Sequence, residues 1–438
     1  MNAANESELD TAEMTSRYLM GNYGRFPVAF SRGEGAWLWD ETGKRYLDFG
    51  MGIAVCSLGH CHPVIRRALS EQGGKLIHCS NLYRVREQAE LARFVVEKVM
   101  RRPGRVFFCN SGAEANDALI KLARKFGHDT AGANDGVARH EIVTCVNSFH
   151  GRTLGGIAAT GQEKVKTGFD PALPGFTHVP FNDCGALRAA VGPRTAAILF
   201  EAVQGEGGIH VASPEFFRTA DELRREHNLL VMMDEVQCGL GRTGDWCGWE
   251  TALRGGGVDF APDAVSWAKG FGGGFPIGAI WAGERPLSGE PDAPRLCEVL
   301  GPGTHGSTFG GTPLASAVGL AVLEEIARGE LWRNAERLGR DIREAVRGWR
   351  HPLVAELRGL GLMVGFVLDE SRIAENADFR ASGRTPAAHV VTKLMEAGLI
   401  AVPAGQRVVR WLPALNVSDD EVGEALAIQR RVLDALAG

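Results

Sequence analysis

Three points along this 438-residue sequence set a reactive side chain in surroundings that would change its chemistry. Lys269 follows the run Ala264-Val265-Ser266-Trp267-Ala268 and precedes Gly270-Phe271-Gly272-Gly273-Gly274. A lysine at the end of a buried strand faces apolar neighbours, which lower an ammonium pKa and favour the free amine. Such an amine can condense with an aldehyde to an imine; the alternative is a surface lysine at a strand exit. Asp234 ends the apolar run Leu229-Leu230-Val231-Met232-Met233. It is either a helix cap or solvated turn, or a buried carboxylate that keeps a pyridine nitrogen protonated. Two unit charges ~4 Å apart at an effective dielectric of ~20 interact by about 4 kcal/mol. That is roughly three pKa units, enough to hold a weakly basic pyridine cationic at neutral pH. Ser111-Gly112-Ala113-Glu114-Ala115-Asn116 lies between a strand-like and a helix-like run. Backbone N–H groups at that helix start, with the Ser111 hydroxyl, make a dianion site, although small-residue turns also arise from packing alone.

The elements that must position these residues repeat one pattern: a short apolar run, a polar or glycine-rich turn, then a helical stretch. Arg105–Cys109 leads to Asn110-Ser111-Gly112 and a helix through Ala115–Phe126. Glu141–Val146 leads to Asn147–Arg152, Ala196–Phe200 to Glu201–Gly208, Leu229–Met233 to Asp234–Gly244, and Ala264–Trp267 to Lys269. Such runs read as buried parallel strands of an α/β sheet. The unusual polar residues come just after each run, and open α/β sheets bind ligands outside the carboxyl ends of their strands. One site built from at least five strand ends follows. The C-terminal part reads as a smaller α+β unit: helices Ala315–Ala327 and Leu331–Gly348, strands Val364–Leu368, Leu399–Val402 and Val408–Leu412, and a helix Ser418–Ala437. Near the N-terminus, Ala36–Asp48 reads as a hairpin turning at Glu41–Gly43.

Composition bounds the function. A formal net charge of -5 with no basic stripe argues against a nucleic-acid partner. No apolar stretch approaches the ~20 residues of a membrane span, and Met1–Glu13 lacks the basic and apolar regions of a secretory signal. Nine scattered cysteines without a Cys-x-x-Cys pair suit reduced thiols in the cytoplasm better than a disulfide framework. The expected ligand is a small molecule. Gly239-Leu240-Gly241-Arg242-Thr243-Gly244 matches a dinucleotide fingerprint in letters, but Asp245-Trp246-Cys247-Gly248-Trp249 follows in place of an apolar helix. His60-Cys61-His62 precedes Pro63 and has no partner cluster, so no metal site is expected. No Gly-x-Ser-x-Gly elbow is present.

Together the motifs resemble the class III pyridoxal-phosphate-dependent aminotransferases of fold type I, and among them the acetylornithine branch. The resemblance runs from Tyr46-Leu47-Asp48-Phe49 to Arg410-Trp411-Leu412-Pro413. It includes Gly59–Pro63, Asn110–Asn116, Ser148–Thr153, Gln204–Gly208, Asp234–Gln237, Lys269 and His305–Gly311. It implies a large domain (51–312) with a mostly parallel central sheet flanked by helices, and a smaller α+β C-terminal domain (313–438). An N-terminal segment (1–50) would pack with the latter. It further implies that Lys269 holds pyridoxal 5'-phosphate as an imine and that Asp234 pairs with the ring nitrogen. Gln237 would lie near the ring oxygen, Phe149 on one ring face, and Ser111, Gly112 and Ala113 around the phosphate. Ser307 and Thr308 would reach the phosphate of a neighbouring subunit, which implies a homodimer with shared sites. Arg152 and Arg410 are the implied carboxylate clamps, with Glu206 gating Arg410. The implied reaction moves nitrogen from N-acetylornithine to 2-oxoglutarate in two alternating halves, a step of arginine biosynthesis. Ornithine, succinylornithine, N-succinyl-diaminopimelate or 4-aminobutyrate as donor, or an aminomutase on the same fold, are the alternatives. Ala113, Ala202, Phe309 and Thr312 depart from commoner threonine, proline, tyrosine and asparagine, and Ile53 is expected to wall the donor pocket.

Overall fold

The computed structural model describes residues 10–131, 136–288, 290 and 292–438; the start of the polar N-terminal stretch lies outside them. Strands β1 (Phe30–Glu34), β2 (Trp37–Asp40) and β3 (Arg45–Asp48) open the fold. The expected hairpin joins β2 to β3, its turn fixed by Asp40 Oδ1, which accepts from the Thr42 and Lys44 N–H groups. The central sheet then takes β4 (Gly104–Cys109), β5 (Glu141–Cys145), β6 (Phe176–Val179) and β7 (Thr195–Glu201). A short ribbon of β8 (Val203–Gln204) and β9 (His210–Val211) follows, before β10 (Leu230–Asp234), β11 (Ala264–Trp267) and β12 (Gly278–Gly283) complete the sheet.

The sheet order is β4-β12-β11-β10-β7-β5-β6. Every pair from β11 to β6 is parallel, while β12 runs antiparallel to both β11 and β4. The sequence reading did not contain β12, whose run is bounded by glycines. The inner strands are covered on both faces: every residue of β7, β10 and β11 is buried. Their side chains alternate between two cores, as the two-residue period of a strand requires. Leu199, Leu230 and Met232 meet Leu119, Leu122 and Phe126 of the helix Gly112–Asp129 on one side. Phe200, Val231 and Met233 meet Phe216 and Phe217 on the other. Each such side chain contributes roughly 1.5–3 kcal/mol of burial.

Beyond residue 312 come the helices Pro313–Arg328 and Leu331–Trp349, then β13 (Val354–Leu360) and β14 (Met363–Leu368). The run expected as one strand at Leu399–Val402 divides into β15 (Leu399–Ile400) and β16 (Val402–Ala404), followed by β17 (Val408–Trp411) and the helix Asp419–Ala437. The division sends them to different sheets. β16 joins β13-β14-β17-β16, whereas β15 pairs parallel with β3 in β1-β2-β3-β15. The N-terminal hairpin is thus tied to the C-terminal part of the chain. The last helix starts on a capping box in which Ser418 and Glu421 exchange hydrogen bonds. Among the described residues no helix is long and apolar enough to cross a membrane.

Candidate active site

A cavity of about 390 Å³ opens at the carboxyl ends of β4, β7, β10 and β11, where a doubly wound sheet places its ligands. Lys269 lies one residue past Ala268 at the exit of β11, in a left-handed backbone conformation (φ 47°). Its side chain lines the cavity, and burial lowers its pKa. Glu206, Asp234 and Glu201 pull the other way, and Arg410 adds to the lowering.

Asp234, the last residue of β10, is 3% exposed and held through both oxygens. Oδ2 accepts from Asn116 Nδ2 (2.7 Å) and His150 Nδ1 (2.8 Å), and Oδ1 accepts from the Val236 N–H (3.0 Å). Because a carboxylate only accepts, His150 carries its proton on Nδ1. The Asn116 amide is fixed in turn: Ser266 donates to its Oδ1 at 2.7 Å, which turns its nitrogen toward Asp234. Glu201 at the end of β7 is buried nearby, accepting from the Phe149 and Gly205 N–H groups. Burial raises its pKa well above the usual range, and the charge of Asp234 adds to this.

Ser111 caps the helix Gly112–Asp129, its Oγ accepting from the Glu114 N–H at 3.2 Å. The N–H groups of Gly112 and Ala113 start that helix and have no intrahelical acceptor. Gly112 is required here, since a Cβ would come within 2.8 Å of Val236 Cγ1. Phe149 lines the same cavity, with the exposed Arg152 guanidinium 5.6 Å from its ring centre. Arg152 has no ion-pair partner among the described residues.

Arg410 on β17 is fully buried. Its Nη1 donates to Glu206 Oε1 (2.6 Å), Gln237 Oε1 (2.6 Å) and the Gly205 carbonyl (2.9 Å). Gln237 also donates to Glu206 at 3.2 Å. Burial alone would raise the Glu206 pKa, but Arg410, Lys269 and Gln237 bring it down to about 2. Glu206 and Gln237 face the cavity with Arg410 behind them.

The structure therefore brings together Lys269, Asp234, Ser111, Gly112, Ala113, Phe149, Arg152, Glu206 and Gln237, with Arg410 one hydrogen bond away. Ser307 and Thr308 are not part of this wall; Ser307 Oγ accepts from Asn110 Nδ2 at 3.2 Å, and Thr308 is exposed. Ile53, expected at the donor pocket, is 38% exposed and does not line the cavity, whereas Val55 does. Asn116, His150, Glu201 and Ser266 were given no role from sequence. Their partners come from distant strands, so only the position of Asn116 and His150 inside the quoted motifs pointed toward them. The set-aside motifs have structural partners instead: His60 Nε2 pairs with Asp48 at 2.8 Å, and Arg242 binds main-chain carbonyls. Among the described residues no cluster could hold a metal.

An amine, a buried carboxylate, a capped helix start and an aromatic ring in one cavity fit an aldehyde-bearing pyridine phosphate. Residues 18–433 match the family Aminotransferase class-III. The chain is 44% identical over 422 residues to an acetylornithine aminotransferase of Caldanaerobacter subterraneus subsp. tengcongensis, covering 96% of this chain and 98% of the relative. It is 42% identical to one from Synechocystis, covering 98% and 94%. Among solved structures, the ornithine aminotransferase of Toxoplasma gondii superposes with a TM-score of 0.85 at 32% identity, covering 98% and 96%. The N-acetylornithine aminotransferase of Stenotrophomonas maltophilia gives 0.75 at 35%, covering 94% and 97%. With cavity, fold and near full-length similarity in agreement, the chain belongs to the class III aminotransferases.

Proposed function

We propose that the protein transfers the side-chain amino group of N-acetylornithine to 2-oxoglutarate, with pyridoxal phosphate on Lys269. The observation that carries the reading is the single cavity that joins the Lys269 amine, the buried Asp234 and the Glu206–Arg410 pair. When bound, the cofactor supplies an aldehyde carbon for amines and a ring that withdraws electrons.

The protein groups divide the remaining work. Lys269 Nζ holds the cofactor carbon and, once released by the donor amine, takes the proton from the donor's amine-bearing carbon. Burial lowers its pKa, which favours the free amine that this step uses. Asp234 keeps the ring nitrogen protonated, oriented by Asn116 and His150. Ser111 and the N–H groups of Gly112 and Ala113 would hold the phosphate, Phe149 would cover a ring face, and Gln237 would serve the ring oxygen. Arg152 binds a substrate carboxylate. Arg410 binds the second carboxylate of glutamate or 2-oxoglutarate, and Glu206 neutralises it when the donor has only one. An aminomutase needs no such gate.

The wall formed by Val55, Phe275, Pro276 and Ile277 favours an acylated amine over a second ammonium, which would lose solvation there. The fold likeness to an ornithine aminotransferase keeps ornithine as the second reading. We assign residues 1–50, 51–312 and 313–438 to an N-terminal segment, a large and a small domain, consistent with the β3–β15 pairing. We also assign a homodimer in which Ser307 and Thr308 complete the partner's phosphate site. Leu82, Tyr83 and Phe309 are 87%, 69% and 61% exposed, an apolar surface suited to such an interface. Nine free thiols suit the reducing cytoplasm.

The test is 2-oxoglutarate-dependent turnover with N-acetylornithine, ornithine and 4-aminobutyrate side by side. The highest kcat/KM with N-acetylornithine is expected; a preference for either other donor overturns the substrate assignment.

A further inference from the structure

Arg242 is 3% exposed, yet no acidic side chain among the described residues lies within ion-pair distance of it. Its Nη1 donates instead to two main-chain carbonyls, Leu362 at 3.2 Å and Pro413 at 2.5 Å. The Leu362 N–H returns a bond to the Arg242 carbonyl at 3.0 Å. Burial pulls the guanidinium pKa down, so the charge is kept in this place at a cost.

The two carbonyls mark one end of a ladder. Leu362 immediately precedes β14, and Pro413 follows β17 by one intervening residue; Val364 of β14 faces Trp411 of β17, and Gly365 faces Arg410. Arg242 thus grips both strands just beyond the pair that carries Arg410. It belongs to the same loop as Gln237, which holds the Arg410 guanidinium at 2.6 Å, and that loop begins at Asp234. One segment therefore holds the ring-side carboxylate, the Arg410 head group and the backbone that carries Arg410. The junction is tight on the other side too: Gly361 sits at φ 50°, and a Cβ there would come 2.5 Å from the Thr243 carbonyl carbon and 2.7 Å from the Arg242 oxygen.

We propose that Arg242 is a positioning residue for acceptor choice: by clamping β14 and β17 to the Asp234–Gly244 loop, it sets how far Arg410 reaches toward the cavity. This rests on the reading of Arg410 as the receptor of a second substrate carboxylate. Lysine at 242 would keep the charge but lose the rigid planar head that aims its donors at the two carbonyls. Arg410 would then shift relative to Lys269, and substrates that need Arg410 would suffer while those that do not would be spared.

The experiment compares holoenzyme of wild type, R242K, R410A and the double variant in the acceptor half-reaction. The acceptors are 2-oxoglutarate and 4-oxobutanoate, an aldehyde acid that keeps the remote carboxylate and lacks the one beside the reacting carbon. R242K is expected to lower kcat/KM for 2-oxoglutarate by about tenfold or more and to leave 4-oxobutanoate within about twofold. In the R410A background R242K should add little, since residues acting as a unit are not additive. Equal loss with both acids, or full additivity with R410A, means Arg242 only holds the fold and overturns the proposal. A wild type that does not prefer 2-oxoglutarate, with R410A behaving alike, overturns the Arg410 reading and this proposal with it. Should R242K fail to fold, G361A strains the same junction from its other side and carries the test with the same outcomes.

Discussion

Asp234 spends both its oxygens on the protein before any ligand arrives: Asn116 and His150 on one, the Val236 N–H on the other. Those bonds fix the plane of the carboxylate and keep it an acceptor. Replacing it in Asp234→Ala removes an attraction of about 4 kcal/mol, so kcat should fall by on the order of a thousandfold. Steady-state kinetics should show KM changing far less; an unaltered kcat would move the electron-withdrawing role elsewhere. The Glu206–Arg410 pair makes a second residue-scale prediction. Arg410 is fully buried, and an unpaired buried charge costs several kcal/mol. Glu206→Ala should therefore favour glutamate over N-acetylornithine, while Arg410→Ala should damage the glutamate half-reaction by about tenfold or more and the other little. Single-turnover rates for each half decide it, and equal losses would make the pair a structural salt bridge. Lys269, Asp234 and Ser111 were legible because each closely follows an apolar run. Glu206 and Arg410 lie 204 residues apart, and only the family resemblance had joined them.

At the scale of elements, burial of whole strands made β7, β10 and β11 readable within a residue of their ends. β12 escaped because Gly278-Ala279-Ile280-Trp281-Ala282-Gly283 is bounded by turn-forming residues, and because direction leaves no mark on a sequence. The split of β15 from β16 escaped for a related reason: two pairings with different sheets, not local composition, divide that run. Glu235, next to Asp234, ties β10 to the short helix Gly248–Ala252 by accepting from the Gly248 and Trp249 N–H groups at 2.7 and 3.3 Å. Burial pushes its pKa from 4.5 up to about 8. The folded protein thus binds this proton more tightly than the unfolded chain, so the contribution to stability is full below 4.5 and is lost as pH rises toward about 8. Glu235→Gln should flatten the fall in melting temperature across that interval. Parallel pH profiles for the two proteins would show that Glu235 is not the titrating group.

For the whole molecule, the proposed homodimer would bring Ser307 and Thr308 to the partner's site and cover the apolar surface around Leu82, Tyr83 and Phe309. Mixing Lys269→Ala subunits with Ser307→Asp subunits should restore about a quarter of wild-type activity if sites are shared, because half of the dimers then hold one intact site. No recovery after subunit exchange would place Ser307 in its own chain's site, and full activity of Ser307→Asp alone would place it in none. The assembly still depends on one amine at the exit of one strand. Borohydride reduction of the cofactor-loaded protein, followed by peptide mass spectrometry, tests that amine directly. The account predicts the pyridoxyl phosphate mass on the peptide containing Lys269 and its absence from Lys269→Ala; the label on any other lysine would contradict it.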